Sequence, residues 1–280
     1  MTTPDQDEFV RIVKSLGPYW DQLVVVGAWC HRLLRFHPLA APPSFVPLMT
    51  EDADVGMPER LPARSPSIGE ALTSGGFRPS FSGDGPVPVT RYFPEGDDRG
   101  MYVEFIAPLR GSGYTRAGEP DDILRAAGIT AQKLRYVEFL LHEPWQLEVS
   151  ADRGFDVGQD KLVIQVANPA SYLAQKVLTL RRRNNVRKQS KDALYIHDTL
   201  TMFGGSLSEL REQGAKVLEL LPERTRNEFH ALRVGLFRDA SLMIRAAGIA
   251  EATGRASPPS ASTIAAVCTA GLEQVFSPAA

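Results

Sequence analysis

Apolar residues fall into distinct patterns along this chain. Phe9, Ile12, Val13 and Leu16 recur at helical spacing, so residues 5–16 read as an amphipathic helix. LVVVGA, residues 23–28, is a continuous, mostly β-branched run that stops at Gly27, the signature of a buried strand. WCHRLLRFH, residues 29–37, returns to helical spacing through Trp29, Leu33 and Phe36. Prolines 38, 42, 43 and 47 then predict an extended connection. SIGEALTSGGF, residues 67–77, reads as a helix ended by Gly75 and Gly76. PVTRYFP and MYVEFIAP read as strands flanking the turn EGDDRG. KLRYVEFLLHEPWQLEVS is expected to form another hairpin, turning at His142 to Pro144, and KLVIQV, residues 161–166, a last strand.

Asn168-Pro169 is a break that also starts a helix well. Beyond it the pattern is helical. Tyr172, Leu173, Val177 and Leu180 form one stripe. Further helices are expected in LSELREQGAKVLELL, in RNEFHALRVGLFRDASLMIRAAGI and from about Thr263 to Phe276, with GRASPPSAS as a loop. The pattern predicts an α/β domain over 1–168 and an all-α domain over 169–280.

Composition narrows the setting. The chain has 280 residues, 43% of them hydrophobic, enough for one large domain or two ordinary ones. A net charge of −2 gives no whole-protein field that points to DNA or a membrane, so a nucleic-acid site would have to be a local patch. Cys30 and Cys268 share no metal-ligand spacing, which fits a reduced cytoplasmic setting. The polar start MTTPDQDEF argues against a secretory signal, and the apolar runs are too short to cross a bilayer.

Candidate chemistry begins at TEDADV, residues 50–55. On a strand, Asp52 and Asp54 share a face, where each raises the cost of the other's charge. They read either as a solvated strand end or as ligands of a shared cation. Glu104 is the only charge in MYVEFIAP, and an isolated acid in such a strand is costly unless paired or metal-bound. YVEF recurs at 136–139, so Glu138 competes with Glu104 for the third position. Glu104 is the better placed, and Glu138 is expected to face solvent or pair with a cation such as Arg135. Strand, Gly27, helix is the unit that presents backbone N–H groups to a phosphate. Lys176 lies on a helix, where it either snorkels or meets phosphate. LRRRNNVRKQSK, residues 180–191, is a dense basic run: Arg181, Arg182, Arg183, Arg187, Lys188 and Lys191. It reads as a solvated helix face or as a surface for a phosphate-rich partner. His31, His37 and His197 read as packing or capping residues, and Trp29 and Trp145 as core.

Gly27-Ala28, then Asp52-x-Asp54, then Glu104 resembles the core of the DNA polymerase β-like nucleotidyltransferase superfamily. Within it, the chain is most similar to bacterial stand-alone nucleotidyltransferases, among them the toxins of AbiE-type (type IV) toxin–antitoxin systems. Pro169, Lys176, Lys191 and Asp192 continue the resemblance, which covers most of residues 20–200. It implies an α/β (α+β) core with a mixed twisted sheet, and transfer of a nucleoside monophosphate from an NTP to a hydroxyl. Asp52, Asp54 and Glu104 would hold Mg2+, two ions, with Mn2+ as the alternative. Glu104 could instead act as general base. Gly27, Ala28, Arg32, Lys176, Lys191 and Asp192 would bind the nucleotide. The acceptor it implies is RNA, the 3′ end of tRNA first, reached through the basic run. A small-molecule hydroxyl or a protein side chain are the alternatives, and a cognate antitoxin is an implied partner. Two positions depart from the family pattern. Ala28 stands where many members have Ser or Gly, and Tyr195 where an Asp is common, with Asp198 as a substitute. A non-catalytic nucleotide- or RNA-binding module on the same fold, or a structural partner protein docking through its C-terminal helices, are the competing readings.

Overall fold

The computed structural model describes residues 4–41, 45, 47–48, 50–82, 89–96, 100–158 and 161–277. The chain divides into two compact units: Met1–Leu33 with Met49–Ala167, and Leu34–Leu48 with Asn168–Ala280. The helical unit thus includes an early segment that the expected boundary at 168 leaves out. Prolines 42 and 43 and turn residues 97–99 lie outside the described residues.

The first unit runs α1 (Pro4–Ser15), β1 (Val24–Val25), α2 (Gly27–Leu34), β2 (Asp52–Gly56), α3 (Ile68–Ser74), β3 (Phe77–Ser82), β4 (Val89–Pro94), β5 (Tyr102–Pro108), β6 (Ile123–Ala126), β7 (Ile129–Leu134), β8 (Trp145–Val149) and β9 (Leu162–Val166). These strands form one mixed sheet in the order β3-β4-β5-β2-β1-β9-β8, with β7 beside the end of β5 and β6 beside β7. β1, of two residues, lies in the middle of the sheet. It pairs antiparallel with β2 and parallel with β9, and its valines are buried. Phe9 of α1 stacks on Trp29 of α2 at 4.1 Å between ring centroids, and both are buried. α3 starts on a reciprocal cap between Ser67 and Glu70 and ends at Gly75.

Two parts of the sheet differ from expectation. The hairpin around His142 to Pro144 does not form. Only Lys133 and Leu134 of its first half are in a strand, β7, which runs parallel to β5, while β8 lies at the far end of the sheet against β9. Tyr136 and Glu143 adopt left-handed backbone, φ 68° and 44°, and turn the chain out of extension. Val137, Phe139 and Leu140 are buried from that turn. A tight hairpin does form between β6 and β7, closed by Ala127 and Gly128 at φ 49° and 78°, a two-residue turn of the kind strand twist favours. β3 carries Pro79, which hid it from the sequence reading. Its edge position, paired among the described residues with β4 alone, accommodates a residue without an N–H.

The second unit contains α4 (Pro169–Leu180), α5 (Val186–Met202), α6 (Leu207–Leu220), α7 (Glu223–Gly235), α8 (Ala240–Ala252) and α9 (Ala261–Phe276). The Asn168 side chain accepts from the Ser171 N–H at 2.8 Å, and Pro169 fills the first helical position. α5 packs against α4, α8 and α9 and is buried almost all round from Ser190 to Met202. The long run from Arg226 to Ile249 is divided at Leu236–Arg238, after which Asp239 caps α8. No helix among the described residues is long and apolar enough to cross a membrane.

Candidate metal centre

Alternation along β2 buries Ala53 and Val55 on one face and leaves Asp52 and Asp54 half-buried on the other. β5 does the same, with Val103 and Phe105 buried and Tyr102 and Glu104 half-buried. The two strands pair in parallel, Asp52 opposite Tyr102 and Asp54 opposite Glu104. The sheet therefore sets the carboxylates of Asp52, Asp54 and Glu104 together, with one oxygen from each within 4.8 Å of the others.

The turn after β1 lies against this cluster. Val26 N–H donates to the Asp54 carbonyl at 3.0 Å, and Cys30 N–H to Val26 O at 3.2 Å as α2 begins. Gly27 has φ 62°, and a Cβ there would lie 2.0 Å from Asp54 Oδ2. Gly27 thus satisfies two demands, a left-handed turn and close approach of backbone to a carboxylate.

Neighbours partly compensate the charge. Arg91 on β4 faces Glu104 across the strand pair, and its Nε donates to Glu104 Oε2 at 2.9 Å. Burial disfavours the Arg91 charge, but the Glu104 hydrogen bond and the negative charges of Glu104 and Asp52 outweigh it and hold its pKa above the ordinary arginine value. Tyr102 is pushed up to about 12, first by burial and then by the charges of Glu104 and Asp52, so its phenol stays protonated. Thr50 donates to Asp52. The three carboxylates share the cluster with the Arg91 guanidinium. Hard carboxylate oxygens with partial solvent access suit a hard divalent cation. Arg91 and Tyr102 escaped the sequence reading, because alternation shows which face a residue takes but not what stands opposite it.

The other expected site residues have these placements. Ala28 is in the first turn of α2, and the Arg32 guanidinium lies over the Trp29 ring at 4.4 Å. Glu138 is in the turn after β7, outside the acidic cluster. It neither faces solvent freely nor pairs with Arg135, whose guanidinium donates to the carbonyls of Gly111 and Ser112. Glu138 Oε2 is buried without a hydrogen-bond partner, and burial raises the pKa of this carboxyl.

In the helical unit, buried Lys176 donates to Asp192 Oδ1 at 2.7 Å and lies 5.4 and 5.1 Å from the ring centroids of Tyr172 and Tyr195. Tyr195 packs its aromatic ring on the lysine. Arg183 donates to the other oxygen of Asp192 at 3.0 Å. Asp198 does not join this group, because Arg255 and His197 bind its carboxylate. Along the basic run, Arg182 meets Glu228, Lys191 is half-buried, and Arg181, Arg187 and Lys188 are exposed.

A family model described as Nucleotidyltransferase matches residues 5–218. No curated protein matches the chain significantly. Among solved structures, the fold comparison finds the crystal structure of an antigenic nucleotidyltransferase-like protein from Paracoccidioides brasiliensis. That protein is 13% identical at a TM-score of 0.37, over 78% of this chain and 92% of that one.

Proposed function

The chain belongs to the nucleotidyltransferase family, and from that premise we propose that it moves a nucleoside monophosphate from an NTP to a hydroxyl acceptor. The observation that carries the reading is the convergence of Asp52, Asp54 and Glu104 beside the Gly27 turn. These residues would hold Mg2+, two ions or the Mn2+ equivalents, which when bound neutralise charge on the triphosphate. The first N–H groups of α2, those of Gly27 and Ala28, would orient phosphate oxygens. Glu104 would bind the second ion or instead take the proton from the attacking hydroxyl. The acceptor oxygen bonds the α-phosphorus, the bond to the bridging oxygen breaks, and pyrophosphate leaves. Phosphate-binding roles for Arg32, Lys176, Lys191 and Asp192 are part of the proposal, to be tested by NTP affinity in single variants.

RNA, with the 3′ end of tRNA first, is the proposed acceptor. Exposed Arg181, Arg187 and Lys188 support it as cations able to meet a phosphate backbone. A toxin role with a cognate antitoxin, and a cytoplasmic setting where NTP and RNA meet, belong to the same proposal. One observation favours a non-catalytic nucleotide-binding module instead: the Arg91–Glu104 ion pair engages the carboxylate that catalysis needs. Incubation with each labelled NTP, Mg2+ and total RNA decides between them. Label on a tRNA-sized band, lost in a folded Asp52→Asn variant, is the expected result. Wild-type transfer by that variant rejects the mechanism, and binding of NTP with no labelled product supports the module.

A further inference from the structure

The half-buried face of the sheet continues past the acids. Alternation along β4 buries Thr90 and Tyr92 and leaves Arg91 and Phe93 half-buried, on the face that β5 gives to Tyr102 and Glu104. The registers Arg91 opposite Glu104 and Glu104 opposite Asp54 fix this shared face across three neighbouring strands. Phe93 lies two residues after Arg91 and Tyr102 two before Glu104, so the antiparallel pair sets the two rings side by side. Their centroids are 4.9 Å apart and their planes differ by 34°. The Arg91 guanidinium lies 5.1 Å from the Tyr102 centroid while its Nε donates to Glu104. Tyr102 in turn stands opposite Asp52. Phe93, Tyr102 and Arg91 thus form one continuous π-surface that runs up to the carboxylates.

In the order β4-β5-β2-β1 the acids stand between two different neighbours, the Gly27 turn on the β1 side and the aromatic pair on the β4 side. With the triphosphate at the turn, the aromatic side is left for the acceptor. Tyr102 lies one strand from Asp52 and Phe93 two, about 5 and 10 Å. A base stacked there keeps its own ribose hydroxyl within reach of the acids. Cross-strand aromatic pairs also stabilise a sheet, but the buried face already has Tyr92, Val103 and Phe105 for that. The Tyr102 phenol stays protonated beside the acids, so the ring adds no charge that would repel phosphate. Aromatic rings flanked by a guanidinium are a sequence-tolerant seat for a nucleobase.

We propose that Phe93 and Tyr102 form the acceptor platform: the terminal base of an unpaired RNA 3′ end stacks on the pair, and its ribose hydroxyl reaches the cluster of Asp52, Asp54 and Glu104. This rests on the transferase reading above and adds to it the chemistry of the acceptor, a nucleobase held by its π-face and of any of the four kinds.

A 5′-labelled tRNA acceptor-stem RNA with an unpaired 3′ end, and the same RNA lacking only its terminal base, test this on the full chain. Both are measured by fluorescence anisotropy with Mg2+ and as acceptors of labelled NTP. The intact RNA should bind roughly fivefold tighter or more than the abasic one. The same ratio should appear in the acceptor KM, with the NTP KM alike for both. Phe93→Leu should erase the difference by weakening the intact RNA alone, and Phe93→Trp should restore it. Equal binding of the two RNAs, equal weakening of both by Phe93→Leu, or no RNA binding would overturn the platform, as would transfer only to a protein or small-molecule hydroxyl. Base-dependent RNA binding without transfer keeps the platform and rejects the transferase reading; transfer to RNA without base dependence does the reverse.

Discussion

Gly27→Ala tests the geometry of the metal centre most directly. Two penalties act at once. The left-handed φ of 62° costs an alanine about 1–2 kcal/mol. The added Cβ would lie 2.0 Å from Asp54 Oδ2 and 3.0 Å from its Cγ, whereas real Cβ contacts stay beyond 3.0 Å. The carboxylate oxygen must therefore retreat by roughly 1 Å, or the turn must open, and a misplacement of about 1 Å can cost about 10²-fold in rate. Rotating Asp54 is the easier relief, and it withdraws an oxygen from the cluster. Calorimetry should show Tm lower by about 2–8 °C for a loss of that size. Titration with Mn2+, followed by its paramagnetic resonance, should show an affinity reduced by about tenfold or more, as if one carboxylate ligand were displaced. Unchanged Mn2+ affinity would refute the close contact between turn and carboxylate, whatever happens to Tm.

Three further predictions follow from single contacts. Arg91→Gln removes the cation that competes for Glu104, so Mg2+ affinity by calorimetric titration should rise roughly fivefold, the effect of about 1 kcal/mol for a charge at 4 Å in high dielectric; weaker binding would show that Arg91 instead helps to form the site. Glu138 has its pKa raised by burial, so its contribution to stability is full below the unfolded value near 4.5 and is lost as pH rises through the folded value. Denaturation of Glu138→Gln between pH 4 and 7 should lack that loss, and a pH slope equal to wild type would contradict it. Arg255→Met leaves Asp198 buried with an uncompensated charge and should cost about 3–5 kcal/mol in chemical denaturation, most of it recovered in Asp198→Leu/Arg255→Met. No recovery in the double variant would mean that the guanidinium contributes packing rather than charge pairing.

Face was legible in the sequence, and register was not. Alternation in DADVG and YVEFIAP placed Asp52, Asp54 and Glu104 on one side of their strands, and the Gly27 break marked where α2 begins. The pairing of Asp54 with Glu104, and of Glu104 with Arg91, depends on contacts far apart in the chain that no local pattern encodes. YVEF shows the limit sharply. The same four residues are a strand at 102–105 and a turn at 136–139, because Tyr136 takes a left-handed backbone that Tyr102 does not. Lys176 and Asp192 stood out in the sequence as separate candidates, but their mutual ion pair follows from α4 packing on α5. Arg255 gave no signal at all, since it comes from a short loop and acts through Asp198, 57 residues earlier.

The position of β1 also sets an order of events during synthesis. The Gly27 turn hangs from a strand of two residues, held on one side by β2 and on the other by β9. Ala167 N–H closes that second side on the Val25 carbonyl at 3.1 Å. A nascent chain that has emerged only through Pro108 already carries all three acids of the cluster, yet the strand that presents the Gly27 turn still lacks one of its two neighbours. Pairing over more than a hundred intervening residues forms slowly relative to local structure. The centre is therefore completed last within its unit, when β9 docks, and a growing chain acquires its acids well before it can use them.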